Sequence, residues 1–427
     1  MLAYHFKLTI VRHPDWTKSA TIYELNVRQF TPKGTFRAAQ KHLSRLHELG
    51  IGIIWLMPIH PIGDIERKGT LGSYYSVKDY RGINPEFGSL EDFKVFVEDA
   101  HQRGIRVIID WVANHTSRDA VWVTEHPDWY KWDNNGEIVA PYDWSDVAQL
   151  DTHNRHMWQG MASCMKYWLA EANIDGFRCD MASLLPVEFW EYIRQEIEKE
   201  HHVFMLAESE DPLLHRNAFD ATYCWDIHHI MNGLAQGKNT VEDLDHCFKK
   251  QHTLFAPNDM RLNFTSNHDE NSWSGTEFER MGLAAKQMAV FSFLIPGIPL
   301  IYNGQEAALS HRLQFFEKDC IEWNVNRDYE ELYRKMVALK NRYEALWNGE
   351  LGGTFNYHFD RLQKIFTVQR EKYSDTIIGI FNFSPNTSYV LTPSYPTTDY
   401  LKGIVYPANK GINLMPWQYI VLTNSIS

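Results

Sequence analysis

A chain of 427 residues exceeds the usual size of one hydrophobic core, unless that core is an eight-stranded barrel carrying appended pieces. A hydrophobic share of 44% beside a charged share of 22% excludes wholesale disorder, and a net charge of −12 without a dense basic run argues against nucleic acid or anionic membrane as a partner. The first twelve residues (MLAYHFKLTIVR) lack a sustained apolar stretch and a small-residue cleavage site, and no later run approaches the length of a membrane span. The five cysteines, Cys164, Cys179, Cys224, Cys247 and Cys320, are odd in number and show no C-x-x-C spacing, so neither a disulfide framework nor a zinc site is expected. The expectation is a soluble, reduced, cytoplasmic protein.

From about residue 20 short β-branched runs alternate with helix-period segments, the pattern of parallel strands joined by covering helices. Eight strands are expected, at 21–27, 53–57, 107–111, 176–180, 203–208, 221–223, 262–265 and 298–302. The sixth is short and turn-like, whereas the third and eighth are as apolar as buried strands should be. Phe36, Ala39, Leu43 and Leu46 recur at helical spacing, as do Phe93, Phe96, Val97 and Ala100 behind a Ser89…Asp92 capping box. Later helices are expected at 157–171, 186–200, 278–293 and 329–346.

Residues 116–146 interrupt this alternation with four Trp and no long period, as a loop overhanging the C-terminal face of a barrel would. After residue 346, alternating segments at 364–369, 376–383 and 417–422 predict a small antiparallel β-domain. The expected organisation is α/β: a (β/α)8 TIM barrel over 1–115 and 147–346, an inserted domain over 116–146, and a C-terminal β-sandwich over 347–427.

Polar clusters directly follow the apolar runs, where a barrel places catalytic groups. They are Asp110-Trp111-Val112-Ala113-Asn114-His115, Gly176-Phe177-Arg178-Cys179-Asp180, Leu206-Ala207-Glu208 and Phe264-Thr265-Ser266-Asn267-His268-Asp269. One such carboxylate alone is more often a helix cap or an ion-pair partner. Strand alternation puts Arg178 on the same face as Asp180, where its charge can keep Asp180 ionised. Glu208 has no cation beside it in sequence, and a less polar setting is expected there.

These four clusters, with Gly297-Ile298-Pro299-Leu300-Ile301-Tyr302-Asn303-Gly304-Gln305-Glu306 and Gln149-Leu150-Asp151, resemble in order the signature regions of the α-amylase family, glycoside hydrolase family 13. The resemblance implies a retaining glycosidase with Asp180 as nucleophile, Glu208 as general acid/base and Asp269 as the third carboxylate. It further implies that Tyr75 stacks on the substrate while His115, Arg178 and His268 contact it. Tyr75 is matched through Asp79-Tyr80 and Phe87-Gly88, with Tyr74 as its neighbour. A structural calcium is implied, held by Asn114, Asp151 and the backbone carbonyl near Leu184. Asp133-Asn134-Asn135-Gly136-Glu137 lacks complete calcium-loop spacing and reads as a turn.

Where many α-amylases carry Lys and His after the nucleophile, this chain has Ser183 and Leu184. The expected reaction is hydrolysis of α-1,4-glucosidic bonds in starch, glycogen or maltooligosaccharides. The alternatives are an α-glucan transferase, or a hydrolase of cyclodextrin, pullulan or α-1,6 bonds. A non-catalytic glucan-binding relative should have lost carboxylates that are present here. An unrelated metal-dependent hydrolase would need converging ligands, but His228-His229 are adjacent and in a strand would face opposite ways.

Overall fold

Eight apolar runs form parallel strands, and two shorter strands lie between the third and fourth of them. In chain order these are β1 (Ile22–Leu25), β2 (Ile53–Leu56), β3 (Arg106–Val112), β4 (His115–Ser117), β5 (Val147–Gln149), β6 (Gly176–Asp180), β7 (Phe204–Ala207), β8 (Ala221–Tyr223), β9 (Met260–Asn263) and β10 (Ile298–Tyr302). In this computed structural model, which describes residues 11–323 and 327–424, all but β4 and β5 close into one barrel, with β1 paired to both β2 and β10. All eight expected barrel strands are present. The short β8 is secured on both sides, by Leu206↔Ala221 on β7 and Ala221↔Met260 on β9.

Alternation along the strands sorts their side chains into two cores. Ile22, Ile53, Trp55, Ile108, Leu206 and Leu262 belong to one buried cluster filling the barrel, while Tyr23, Ile54, Val107, Ile109, Met205 and Ile301 pack in the layer beneath the helices. Each fully buried aliphatic side chain contributes about 1.5–3 kcal/mol of burial free energy. Two residues beyond the inward-facing Ile22, Ile108 and Leu206 stand Glu24, Asp110 and Glu208, so the same alternation delivers carboxylates to the barrel mouth.

The helix Leu90–Gln102 starts at the expected Ser89/Asp92 capping box and buries Phe93, Phe96, Val97 and Ala100. Two expected helices are each broken. The first divides into Phe36–Gln40 and Leu43–Leu49, although Phe36, Ala39, Leu43 and Leu46 all remain buried. The second divides into Glu277–Met281 and Ala285–Leu294, because Gly282 adopts φ 53°, ψ −128°, which an α-helix cannot contain, and a 3-10 turn, Gly282–Ala284, intervenes. The helix expected over 329–346 occupies Arg327–Arg342 and gives way to a single 3-10 turn, Glu344–Leu346.

The insert is bracketed by an antiparallel ribbon in which His115↔Gln149 and Ser117↔Val147 pair. The Asp133 segment is a turn, its Oδ1 accepting the N–H groups of Asn135 and Glu137.

The C-terminal region consists of β11 (Thr354–Asp360), β12 (Ile365–Lys372), β13 (Asp375–Asn382), β14 (Ser388–Leu391), β15 (Thr397–Asp399), β16 (Val405–Tyr406), β17 (Gly411–Leu414) and β18 (Tyr419–Thr423). Six of these form a sheet ordered β11-β12-β13-β18-β15-β16, and β14 pairs with β17. Ile365, Ile378, Ile380, Ile420 and Leu422 from the larger sheet share a small core with Leu414 from the smaller. Phe291 on the barrel wall meets Phe381 edge-on at 5.2 Å, joining the two regions. Among the described residues no helix is long and apolar enough to cross a membrane.

The start of β6 lies close against the backbone of β7. A Cβ on Gly176 would lie 1.9 Å from the carbonyl oxygen of Phe204 on β7. Backbone cannot yield there without parting two barrel strands, so Gly176→Ala should cost about 3 kcal/mol or more. Urea unfolding of the variant checks this, and a loss below about 1 kcal/mol would contradict the stated packing.

Candidate active site

Arg178 is built into the centre of the barrel mouth by β6. Its side chain is fully buried, with Nη1 at 2.9 Å from Asp110 Oδ1 and 3.1 Å from Asp180 Oδ1. Nη2 stands 3.0 Å from Glu208 Oε2, a charge contact without an aligned hydrogen bond. Nε donates to the Tyr223 hydroxyl at 3.2 Å, and the guanidinium lies over the Trp55 ring at 4.8 Å. Glu208 therefore has the cation that its neighbours in sequence do not supply. A guanidinium forks, so one side chain can serve carboxylates from three strands.

The expectation that Arg178 simply keeps Asp180 ionised needs correction. Burial and the neighbouring Glu208 charge push the Asp180 pKa well above the usual carboxylate value, and Arg178 opposes that rise without cancelling it. Burial also raises Asp110 despite Arg178 and His268. The cluster therefore holds a proton at a pH where an exposed Asp would have lost it, and that proton belongs to the group of carboxylates rather than to one of them.

Glu208 is fixed by its partner across the strands. Met181, directly after Asp180, adopts a left-handed conformation with φ 43°, ψ 44°, and its backbone N–H donates to Glu208 Oε2 at 2.8 Å. One peptide unit thus connects the two carboxylate positions.

Asp180, Glu208, Asp269, Tyr75, His115 and His268 all line one cleft of about 270 Å³. Tyr75 lies flat against His268 with ring centroids 5.4 Å apart, and its hydroxyl donates to Asp110 Oδ2 at 3.0 Å. The neighbouring Tyr74 is instead buried, its hydroxyl accepting from Asn26. That separates the two adjacent tyrosines. Burial lowers the His115 pKa to about 4, leaving its imidazole neutral near pH 7. Burial works the same way on His268, but Asp269 and Glu24 outweigh it and raise that pKa to about 9, so His268 is cationic.

Several cleft residues carried no signal in the sequence. Trp273, Phe315 and Phe316 form an aromatic wall, with Trp273 and Phe315 centroids 5.3 Å apart and Trp273 55% exposed. In the same cleft Lys68 pairs with Asp146 of the insert at 3.0 Å, and Trp144 also lines it. Asp110 and Glu24 were identifiable by strand alternation alone, two residues beyond inward-facing isoleucines.

The residues expected to hold calcium stand beside this cleft. Asn114 and Asp151 flank the β4–β5 ribbon, and the Asn114 carbonyl accepts the Leu150 N–H at 3.1 Å. Asp151 Oδ1 accepts the His153 N–H at 3.1 Å. Leu184 occupies the 3-10 turn after β6, and among the described residues no hydrogen bond joins it to the other two. His228 and His229 lie on the helix Trp225–Ala235, not on a strand, and His228 Nε2 is engaged by Glu270 at 3.1 Å.

Removing the central cation should expose how much the cluster depends on it. In Arg178→Leu the carboxyl groups bind protons when folded that they release when unfolded, so stability falls as pH rises above about 4. Leaving buried charges uncompensated should cost about 3–5 kcal/mol at pH 8 and distinctly less at pH 5. Thermal unfolding at both pH values checks this, and an equal loss at each would contradict the charge argument.

Comparison with known proteins agrees with this geometry. The family profile described as "Alpha amylase, catalytic domain" matches residues 15–147 and 126–350. The chain is 27% identical to an α-amylase of Haloarcula japonica, covering 73% of this chain and 47% of that one. It is 26% identical to a maltogenic α-amylase of Bacillus acidopullulyticus, covering 90% and 74% respectively. The chain thus spans about half the length of the first relative and about three quarters of the second. The crystal structure of an α-amylase from Lactobacillus plantarum superimposes with a TM-score of 0.86 at 30% identity, covering 96% of this chain and all of that one. A closed barrel with its carboxylates gathered at the C-terminal ends of the strands, matched by that profile over most of its length, makes this chain a member of the α-amylase family.

Proposed function

We propose that this protein is a retaining glycoside hydrolase acting on α-1,4-glucosidic bonds in starch, glycogen or maltooligosaccharides. The observation that carries this reading is the single guanidinium of Arg178 touching both Asp180 and Glu208 at the base of an aromatic-walled cleft. A retaining enzyme needs two carboxyl groups about 5–5.5 Å apart, one ionised and one protonated. Two carboxylates on one cation, one of them also held by the peptide N–H that directly follows the other, are neighbours, and the proton retained by this carboxylate cluster supplies the required pair of states. The names of the relatives, α-amylase and maltogenic α-amylase, support the choice of substrate class.

In this reading Glu208 reacts as the acid and Asp180 as the carboxylate. Asp180 attacks the anomeric carbon while Glu208 gives its proton to the departing glycosidic oxygen, breaking the C–O bond and leaving a glycosyl ester on Asp180. Glu208, now ionised, takes a proton from water as that water attacks the same carbon, and Asp180 leaves as a carboxylate. Asp269, beside the sugar, favours the positive charge that develops between these states. Tyr75 offers its ring face to the sugar, and His115 and His268 contact its hydroxyls. Arg178 does not react. It lowers the cost of gathering several negative groups in one mouth.

Calcium is part of the same proposal. Asn114, Asp151 and the Leu184 carbonyl offer only oxygen, of mixed charge, which is the donor chemistry calcium prefers. Among the described residues no group of three or more His, Cys, Asp or Glu could hold a metal, so such a site depends on amide and carbonyl oxygens and on water. The ion would pin the insert to the barrel and takes no part in bond cleavage. Chelation should then lower the melting temperature, since an ion bound only by the folded chain adds about 2.7 kcal/mol at roughly a hundredfold excess over its Kd. An unchanged melting temperature in chelator, with no metal in elemental analysis, would remove calcium from the proposal.

The stereochemistry of the first product tests the reaction itself. Two displacements at one carbon restore its configuration, so maltoheptaose must first yield the α-anomer, as proton NMR reads before mutarotation. Initial β-anomer would overturn the roles given to Asp180 and Glu208. The same time course identifies transfer if products longer than the substrate appear.

A further inference from the structure

We propose that Glu24 is a positioning residue that serves as the counter-ion of His268, holding that imidazole doubly protonated and leaving the charge of Asp269 free for the sugar. The inference rests on the reading of this cleft as a retaining glycosidase site.

Glu24 belongs to β1, two residues beyond Ile22 and on the same inward face, and its side chain is wholly inaccessible to solvent. Its Oε1 accepts from His268 Nδ1 at 2.5 Å and from the His268 backbone N–H at 3.4 Å. Its Oε2 has no hydrogen-bond partner. A carboxylate sealed in an apolar barrel is costly without a cation, and His268 is the cationic group it touches.

The opposite edge of the imidazole faces the cleft. His268 Nε2 lies 2.8 Å from the Tyr75 hydroxyl and 3.3 Å from Asp269 Oδ2. The Tyr75 hydroxyl is also 3.0 Å from Asp110 Oδ2, and Asp110 in turn holds Arg178. Asp110 already accepts from Arg178 Nη1 and from the Trp55 indole N–H at 3.2 Å, so it takes the acceptor's part toward Tyr75, which gives it the phenolic proton. Tyr75 then has only lone pairs to offer His268, which fits a protonated Nε2. A neutral imidazole protonated at Nδ1 would instead compete with Asp110 for that proton. Burial raises the Glu24 pKa and His268 opposes that rise; with Glu24 ionised, the hydrogen bonds from Glu24 to Arg178 agree when both imidazole nitrogens carry hydrogen.

The surrounding charges divide as this requires. Asp269 on the same loop and Glu24 on β1 favour the cation, and Arg178 on β6 opposes it. Asp110 on β3 also senses His268, while Tyr223 on β8 and Tyr302 on β10 face Glu24. Without Glu24, the nearest neutralising charge for His268 is Asp269. That would spend on a protein cation the carboxylate meant to support the developing positive charge of the sugar. Glu24 lies behind the imidazole and touches no substrate.

The test pairs a titration with kinetics. With nitrogen-15 histidine labelling, and His268 assigned by the signal lost in His268→Gln, the His268 ring should remain doubly protonated to about pH 9 in the unaltered protein. In Glu24→Gln its titration should move down by about one pH unit or more, and the alkaline limb of kcat/KM on maltoheptaose should move with it. The loss should fall mainly on kcat, by about tenfold or more, because the group affected acts as charge develops. Glu24→Asp, which keeps the charge, should return the alkaline limb toward its original position. A neutral His268 at pH 7 in the unaltered protein overturns the proposal whether or not the variants fold. So does an unchanged titration in folded Glu24→Gln. Failure to cleave any glucan would instead count against the proposed reaction, since the NMR titration needs no turnover.

Discussion

The arrangement of the barrel mouth turns on one buried guanidinium. Asp110, Asp180 and Glu208 come from or directly follow three different strands, and each approaches Arg178 to within 3.1 Å. In water such charges would interact by about 1 kcal/mol per pair, but in a dry interior their repulsion and their loss of hydration are many times larger. A mouth without the cation would protonate its carboxyl groups or splay them apart. With it, they remain close, partly ionised and able to exchange a proton. Trp55 and Tyr223 hold the cation from below, so the packing of the barrel core and the electrostatics of its mouth meet on the same side chains.

Strand periodicity made most of this visible without coordinates. Each barrel strand is an apolar run bounded by polar residues, and a two-residue repeat carries the inward face of that run directly to the rim. Arg178 and Asp180 are related in this way, and their contact followed from spacing alone. The cation for Glu208 did not, because pairing between strands is a relation the chain does not write locally. Alternation could place Glu24 at the mouth, but its partner was hidden for the same reason, lying 244 residues away. Trp273 lies in a short π-helical turn and Phe315 and Phe316 in an irregular segment, where no period announces which ring will face a cleft. The broken helix around Gly282 shows the converse failure. Apolar spacing continued through the break because the buried face continues, while the backbone turned.

His115 and His268 illustrate how little residue type alone decides. Both are buried and both line the cleft, yet one is pushed down to about 4 and the other up to about 9. The difference lies in the carboxylates placed against each ring. One site thus presents a neutral and a cationic imidazole to the same small volume. A ligand bound in that volume would meet both a charged and an uncharged imidazole, the charged one set by residues from β1 and from the segment after β9 rather than by the histidine itself.

Met181 bears on any attempt to reshape the cleft. Its side chain lines the pocket, which makes it look like a convenient handle for changing which sugars fit. Its backbone is in the left-handed region, where a β-branched residue is strained, and its N–H is the donor that orients Glu208. A library at position 181 would therefore vary two properties at once, pocket shape and the aim of the acid. Glycine, asparagine and aspartate best tolerate that backbone, but they also remove the apolar surface. A designer seeking altered specificity with undiminished turnover would find more freedom at Phe316, which also lines the cleft, than at Trp273, whose side chain hydrogen-bonds Asp269.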